Sequence, residues 1–185
     1  MATVRTGNRS VLLVVDMQVA VMKDGWDAPR VVANVALAVD RARERGVPVL
    51  WMQHEAADMP HGSPGWQWVP ELVPAAGEPR LFKKYSSSFE ETPLERELER
   101  LGASRIVLAG AQSNWCIRAA AYGALERGYD LTLVADAHTT DSFARDDGSV
   151  VEARSIVDDL NLAMTWLDYP GRSTRTAKAA ELAFD

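Results

Sequence analysis

This 185-residue chain has one cysteine, three histidines and no long apolar run. A lone cysteine cannot close an internal disulfide, so a reducing, cytoplasmic setting fits. No apolar run approaches the ~20 residues of a membrane-spanning helix. The opening MATVRTGNRS carries no signal-peptide core, so a membrane is not expected as a partner. Positive charge is also short, with 20 Lys plus Arg against 26 Asp plus Glu, a net charge of −6 and no basic run. That balance argues against a nucleic-acid partner. Internal repeats and low-complexity tracts are missing. The 47% hydrophobic and 25% charged content is that of a globular chain, which argues against disorder. One domain over 1–185 is the simplest reading, long enough for a substantial core.

Histidine is too scarce to build a convincing metal centre. His54 and His61 have six residues between them in a proline-rich stretch, which is no helical pair. Neighbouring Glu55 and Asp58 complete no recognised ligand pattern. No metal and no cofactor are expected.

What is present centres on residues 110–118, GAQSNWCIR, around Cys116. Residues 105–110 are an apolar run of strand length. Residues 119–127 are alanine-rich and end at Gly128, the pattern of a helix with glycine just past its end. Cys116 therefore sits near the turn from a buried strand into a helix. Unpaired backbone N–H groups and the helix dipole favour an anion there. The expectation is a thiol pulled below its ordinary ~8.5, with N–H groups poised for an oxyanion. The competing reading is a small buried apolar side chain, the commonest fate of a lone cysteine.

Residues 11–15 (VLLVV) read as a strand buried on both faces. It runs into Asp16-Met17-Gln18, a carboxylate at a strand's carboxyl end, where open α/β sheets place their sites. Asp16 as a mere cap of the next turn is the alternative. Residues 19–29 read as irregular. Helical spacing of Val31, Val32, Val35, Ala38, Val39 and Ala42 follows, up to Gly46, and residues 47–52 form a second strand, completing a βαβ unit. Residues 55–79 hold five of the nine prolines together with Trp66 and Trp68. A loop this long reads as a pocket wall or a dimer contact.

Residues 80–82 form a short third strand ending in Lys83-Lys84. Thr92-Pro93-Leu94-Glu95 is a helix start with a capping box, and Leu94, Leu98 and Leu101 are its apolar stripe up to Gly102. After the cysteine helix, residues 129–134 form a strand. Residues 149–160 read as a helix boxed by Ser149 and Glu152, and 161–167 as the sixth strand. The tail, 170–185, is compatible with an edge strand or a helix.

Alternating buried strands and helices imply an α/β fold, a doubly wound, three-layer arrangement around a parallel sheet. Right-handed crossovers bring the strand ends that precede helices to one edge. A carboxylate (Asp16), an ammonium (Lys83) and a thiol (Cys116) would meet there. Such a set can run acyl transfer. Asp16 takes the thiol proton, sulfur attacks a carbonyl, N–H groups near Gln112 to Cys116 hold the oxyanion, and Asp16 then protonates the leaving nitrogen and activates water.

The ordered motifs resemble the isochorismatase-like cysteine hydrolases, the superfamily of nicotinamidases and N-carbamoylsarcosine amidohydrolase. They are Asp16-Met17-Gln18, Lys83 with Phe89, Thr92 and Leu94 downstream, GAQSNWC at 110–116, and Gly128-Tyr129 leading to 134–137 (VADA). The order and spacing hold from about residue 9 to 168. The resemblance implies a six-stranded parallel sheet, a triad of Asp16, Lys83 and Cys116, and a non-proline cis peptide near Ala111–Gln112 that turns N–H groups toward the oxyanion. It also implies a homodimer or higher homo-oligomer. Gln112, Trp115, Gln18 and Trp66 are the candidate oxyanion or substrate-binding residues for a small-molecule substrate.

Lys84 is the alternative lysine, with the spacing to Phe89 favouring Lys83. Nicotinamidases carry Asp-x-His after the second strand, where this chain has Gln53-His54-Glu55. Members acting on the isochorismate vinyl ether typically lack the cysteine. The expected activity is therefore metal-independent C–N hydrolysis of an amide, ureido compound or lactam. A vinyl-ether hydrolase and a silent binding module are the alternatives. Trp26, Trp66 and Trp115 are candidates for an aromatic pocket and equally for packing.

Overall fold

The apolar run after Asn8 forms β1 (Arg9–Val15), and its side chains alternate between two cores. Val11, Leu13 and Val15 face one cluster, and Leu12 and Val14 the other. A strand buried on both faces belongs in the middle of a parallel sheet. Among the described residues of this computed structural model, 2–184, β1 is central in a six-stranded sheet of order β3-β2-β1-β4-β5-β8. Every pairing in that sheet is parallel. Met1 and Asp185, the ends of the stretch read as one domain, lie outside the described residues.

The other strands of this sheet are β2 (Val49–His54), β3 (Arg80–Lys83), β4 (Ala103–Ala111), β5 (Asp130–Thr139) and β8 (Thr174–Ala177). Helix α2 (Ala28–Glu44) covers one face with the stripe Val31, Val35, Ala38 and Ala42. Pro29 fits its first turn, where no backbone N–H is needed, and Arg41 and Arg43 occupy its last turn. Helices α3 (Leu94–Arg100), α4 (Arg118–Glu126) and α5 (Ala153–Trp166) cover the other face through Leu94, Leu98, Ala121, Leu125, Leu160 and Met164. This is the expected three-layer α/β arrangement. Each fully buried Leu or Val contributes about 1.5–3 kcal/mol.

Several local expectations are corrected. Residues 19–29 are not wholly irregular, because Val19–Met22 forms a short helix, α1. The capping box at Thr92 does not close. Thr92 Oγ1 accepts the Leu94 N–H at 3.3 Å, but Glu95 pairs with Arg5 and Arg127 instead. The box at Ser149 is also absent, since Ser149 bonds Asp147. Val150–Val151 (β7) instead pairs antiparallel with Phe143–Ala144 (β6) in a small ribbon. Helix α5 then begins at Ala153, whose N–H is taken by Ser142 Oγ.

Residues 161–167 are not the sixth strand. Val157, Leu160 and Met164 keep helical spacing, so α5 runs on to Trp166, and the sixth strand is β8 in the tail. Thr174 Oγ1 bonds Met164 O at 2.9 Å, locking β8 against α5.

The 55–79 segment is laced to the stretch after β1. Val19 N–H bonds Gln67 O, Ala20 N–H bonds Gly65 O, and Val69 N–H bonds Met17 O. Glu78 anchors its far end, accepting from Arg43, from Trp51 Nε1 at 2.6 Å and from Ala75 N. No helix is long and apolar enough to cross a membrane among the described residues.

Candidate active site

The carboxyl ends of β1, β3 and β4 converge as the crossover rule requires. Gly110 makes the approach of β4 to β1 possible. Its φ is +130°, and a Cβ there would lie 2.0 Å from Val15 O. Only glycine fits this rung of the ladder, one residue from Asp16. Asp16 itself turns the chain with φ 52°, and its N–H is held by Met52 O at 2.9 Å.

Lys83 Nζ lies 2.6 Å from Asp16 Oδ2 and 3.1 Å from Cys116 Sγ. The Lys83 and Asp16 side chains are 0% and 2% exposed. All three candidate triad residues therefore meet, and exposed Lys84 stays outside. The ammonium has two more neighbours, Tyr85 O at 3.3 Å and His54 Nδ1 at 3.2 Å.

Burial pushes the Asp16 carboxyl above its ordinary value, against the pull of Lys83. Burial pulls the Lys83 ammonium down, but Asp16 and Cys116 outweigh it and carry the net value above the usual one. The thiol contradicts the sequence expectation. Burial, then the charge of Asp16, push Cys116 up to about 12. The thiol is therefore protonated at rest, and Asp16, held by Lys83, is the acceptor for its proton.

Cys116 lies, as expected, at the passage from a buried strand into a helix, in a π-helical turn, Ser113–Ile117, between β4 and α4. Trp115 and Ile117 both give their N–H groups to Gln112 O. No loop or cap backbone hydrogen bond takes the Gln112 N–H among the described residues. The Ala111–Gln112 peptide is cis, as the resemblance implied.

The turn is tied to the end of β5 by three side-chain bonds. Gln112 Nε2 donates to Asp141 Oδ2 at 2.8 Å, Ser113 Oγ meets His138 Nδ1 at 2.8 Å, and Thr140 Oγ1 donates to Asn114 Oδ1 at 2.5 Å. Behind Ser113, His138 Nε2 meets Asn161 Oδ1 at 3.1 Å, and Asn161 Nδ2 donates to Ala135 O. Asn161 Oδ1 can only accept, so His138 carries its proton on Nε2 and Ser113 donates to Nδ1. Burial holds His138 down to about 4, so it is neutral.

Gln18 braces the site from within. It is fully buried, and its amide bonds His54 N, His54 O and Trp66 O. Trp66 is nearly buried, its ring 4.3 Å from His61 and 5.7 Å from Phe82. Trp115 is 52% exposed and meets Phe143 of the β6–β7 ribbon edge-on. It is the candidate aromatic best placed to touch a ligand beside Cys116. Trp26 binds the end of β5 through its backbone, its N–H to Thr140 O and its O from Thr139 Oγ1.

Sequence reasoning missed His54 as a neighbour of Lys83. The signal was available in the register, since His54 and Lys83 are paired across β2 and β3. Gln53 donates its amide to Trp66 O at 2.9 Å. No group of three or more His, Cys, Asp and Glu stands at metal-holding distance among the described residues.

The Isochorismatase domain family matches residues 10–160. A streptothricin hydrolase from Streptomyces noursei is 36% identical over 137 residues, covering 70% of this chain and 54% of that protein. A maleamate amidohydrolase from Pseudomonas putida is 38% identical over 77 residues, 42% of this chain and 36% of that protein. The chain thus spans about half the length, or less, of these curated relatives. The crystal structure of an isochorismatase from Pseudomonas putida superposes with a TM-score of 0.82 at 26% identity, covering 93% of this chain and 89% of that one.

Proposed function

This chain belongs to the isochorismatase family, and on that premise we propose that it is a cysteine amidohydrolase that cleaves the C–N bond of a small amide, ureido compound or lactam through a thioester. The observation that carries this reading is the buried contact of Lys83 Nζ with both Asp16 Oδ2 and Cys116 Sγ. Relatives named as a streptothricin hydrolase and a maleamate amidohydrolase support it.

In this mechanism Asp16 takes the thiol proton as sulfur attacks the substrate carbonyl carbon. A thiol at about 12 stays protonated until substrate arrives, so attack and proton transfer go together. Lys83, a permanent cation between carboxylate and sulfur, stabilises the thiolate as it forms. N–H groups of Gln112 and Cys116 receive the oxyanion. The tetrahedral species collapses by breaking C–N, and protonated Asp16 gives its proton to the departing nitrogen. Water then attacks the thioester and gives its proton to Asp16. The C–S bond breaks and the sulfur regains its proton, leaving acid and amine. These three side chains carry every step, so no metal is required of them.

The test is ammonia or amine release from a panel of primary amides, ureido acids and lactams, run beside Cys116→Ala. Release by the parent protein and none by the variant is expected. Hydrolysis of isochorismate that survives Cys116→Ala would instead favour the vinyl-ether activity.

A further inference from the structure

Lys83 has more acceptors than hydrogens. An ammonium carries three N–H bonds. Four acceptors surround this one, at 2.6 Å (Asp16 Oδ2), 3.1 Å (Cys116 Sγ), 3.2 Å (His54 Nδ1) and 3.3 Å (Tyr85 O). Lysine accepts nothing, so His54 Nδ1 must be the acceptor, and the ring is neutral with its proton on Nε2. Burial and the neighbouring Lys83 charge both lower the proton affinity of His54, which favours that form.

The placement of the ring is built in. His54 and Lys83 form the last rung of the β2–β3 ladder. The Gln18 side chain clamps the His54 backbone from both sides, Oε1 accepting its N–H at 2.8 Å and Nε2 donating to its O at 3.0 Å.

We propose that His54 is a positioning residue whose Nδ1 takes the third Lys83 hydrogen when the Cys116 sulfur becomes acylated. This rests on the thioester reading above. A thiolate is a strong acceptor for an ammonium and a thioester sulfur a poor one. Acylation would leave a buried N–H⁺ unmatched, a costly arrangement. His54 receives it, and the ammonium stays against Asp16 while that carboxylate takes a proton from water. His54 therefore matters little for thiol attack and much for thioester hydrolysis.

The test uses the fact that Cys116 is the only cysteine, so modification of sulfur has one site. The parent protein, His54→Leu and His54→Asn are compared, the asparagine keeping an acceptor near the Nδ1 position. Iodoacetamide reads the first stage, with sulfur displacing iodide. p-Nitrophenyl acetate reads the second: sulfur attacks the acetyl carbon, p-nitrophenolate leaves, and loss of acetyl from the Cys116 peptide is followed by mass spectrometry.

The expected result is alkylation of His54→Leu within about twofold of the parent, with acetyl loss slowed at least about tenfold, as for a lost hydrogen bond to a charged group. His54→Asn should return acetyl loss to within about threefold of the parent. Equal acetyl loss in all three proteins, or no recovery with asparagine, overturns the proposal while leaving the cysteine mechanism standing. A parent Cys116 that takes up neither reagent overturns both. The ¹⁵N NMR spectrum of the parent ring gives a check that needs no variant to fold. An Nε2–H tautomer is expected, and an Nδ1–H tautomer refutes the arrangement.

Discussion

Replacing Lys83 with methionine removes the charge and keeps much of the chain length. It leaves Asp16, 2% exposed, without the cation that lies 2.6 Å away. Breaking one side of a buried pair typically costs about 3–5 kcal/mol. Here the loss has a ceiling, because Asp16 can take up a proton instead. Protonating a carboxyl whose ordinary value is 3.8 costs about 1.4 kcal/mol for each of roughly three pH units, or about 4 kcal/mol at pH 7. The deficit of Lys83→Met at pH 7 should therefore stay below about 4 kcal/mol, and falls short of it by as much as burial already raises Asp16 in the parent.

The pH dependence of that deficit is diagnostic. Between pH 4 and 7 the folded variant holds a proton on Asp16 that the unfolded chain releases. Its unfolding free energy then rises as pH falls, and the gap to the parent shrinks by up to about 1.4 kcal/mol per unit. Asp16→Asn with Lys83→Met removes both charges and should recover most of the loss, since buried pairs are often replaceable by neutral groups. Urea unfolding of the three proteins at pH 5, 6 and 7 measures all of this. A Lys83→Met protein as stable as the parent at pH 7, or a deficit that does not change with pH, would refute the reasoning.

Two further perturbations test the frame of the site. His138 is held at about 4 in the folded protein against an ordinary 6.5, so its contribution is fully present above 6.5 and is lost as pH falls toward 4. Over that window the parent should lose about 3 kcal/mol more than His138→Gln in urea unfolding, and parallel curves would contradict the buried neutral ring. Gly110→Ala forces a Cβ onto Val15 O at positive φ. It should cost about 3 kcal/mol or more in thermal unfolding, and an alanine protein as stable as the parent would contradict the close β1–β4 approach.

The central strands and the meeting of three strand ends were legible because they depend on local pattern and on handedness. Residues 11–15 and 106–110 are apolar runs that only a doubly covered sheet can bury, and crossover geometry then places Asp16, Lys83 and the 110–116 turn together. What was misread depends on competition between local signals and tertiary partners. Residues 161–167 look like a short strand in isolation. Yet Met164 extends the Val157–Leu160 stripe, and Asn161 is fixed to His138 and Ala135, so the helix wins. Ser149 and Glu152 have capping-box spacing, but Asp147 and the β6–β7 ribbon take the segment first. The Cys116 thiol goes up where a helix start suggested down, because burial and a carboxylate outweigh a dipole whose effect is small. The role of His54 depends on register across β2 and β3, which residue type alone does not carry.

The most direct test of the account is acid-quenched mass spectrometry of the parent protein during turnover of any compound from the amide panel. A covalent acyl group on Cys116 that disappears as acid product accumulates, with no adduct and no turnover in Cys116→Ala, is the predicted result. Steady turnover by Cys116→Ala at the parent rate would contradict it, and with it the assignment of Asp16, Lys83 and Cys116 as a nucleophilic triad.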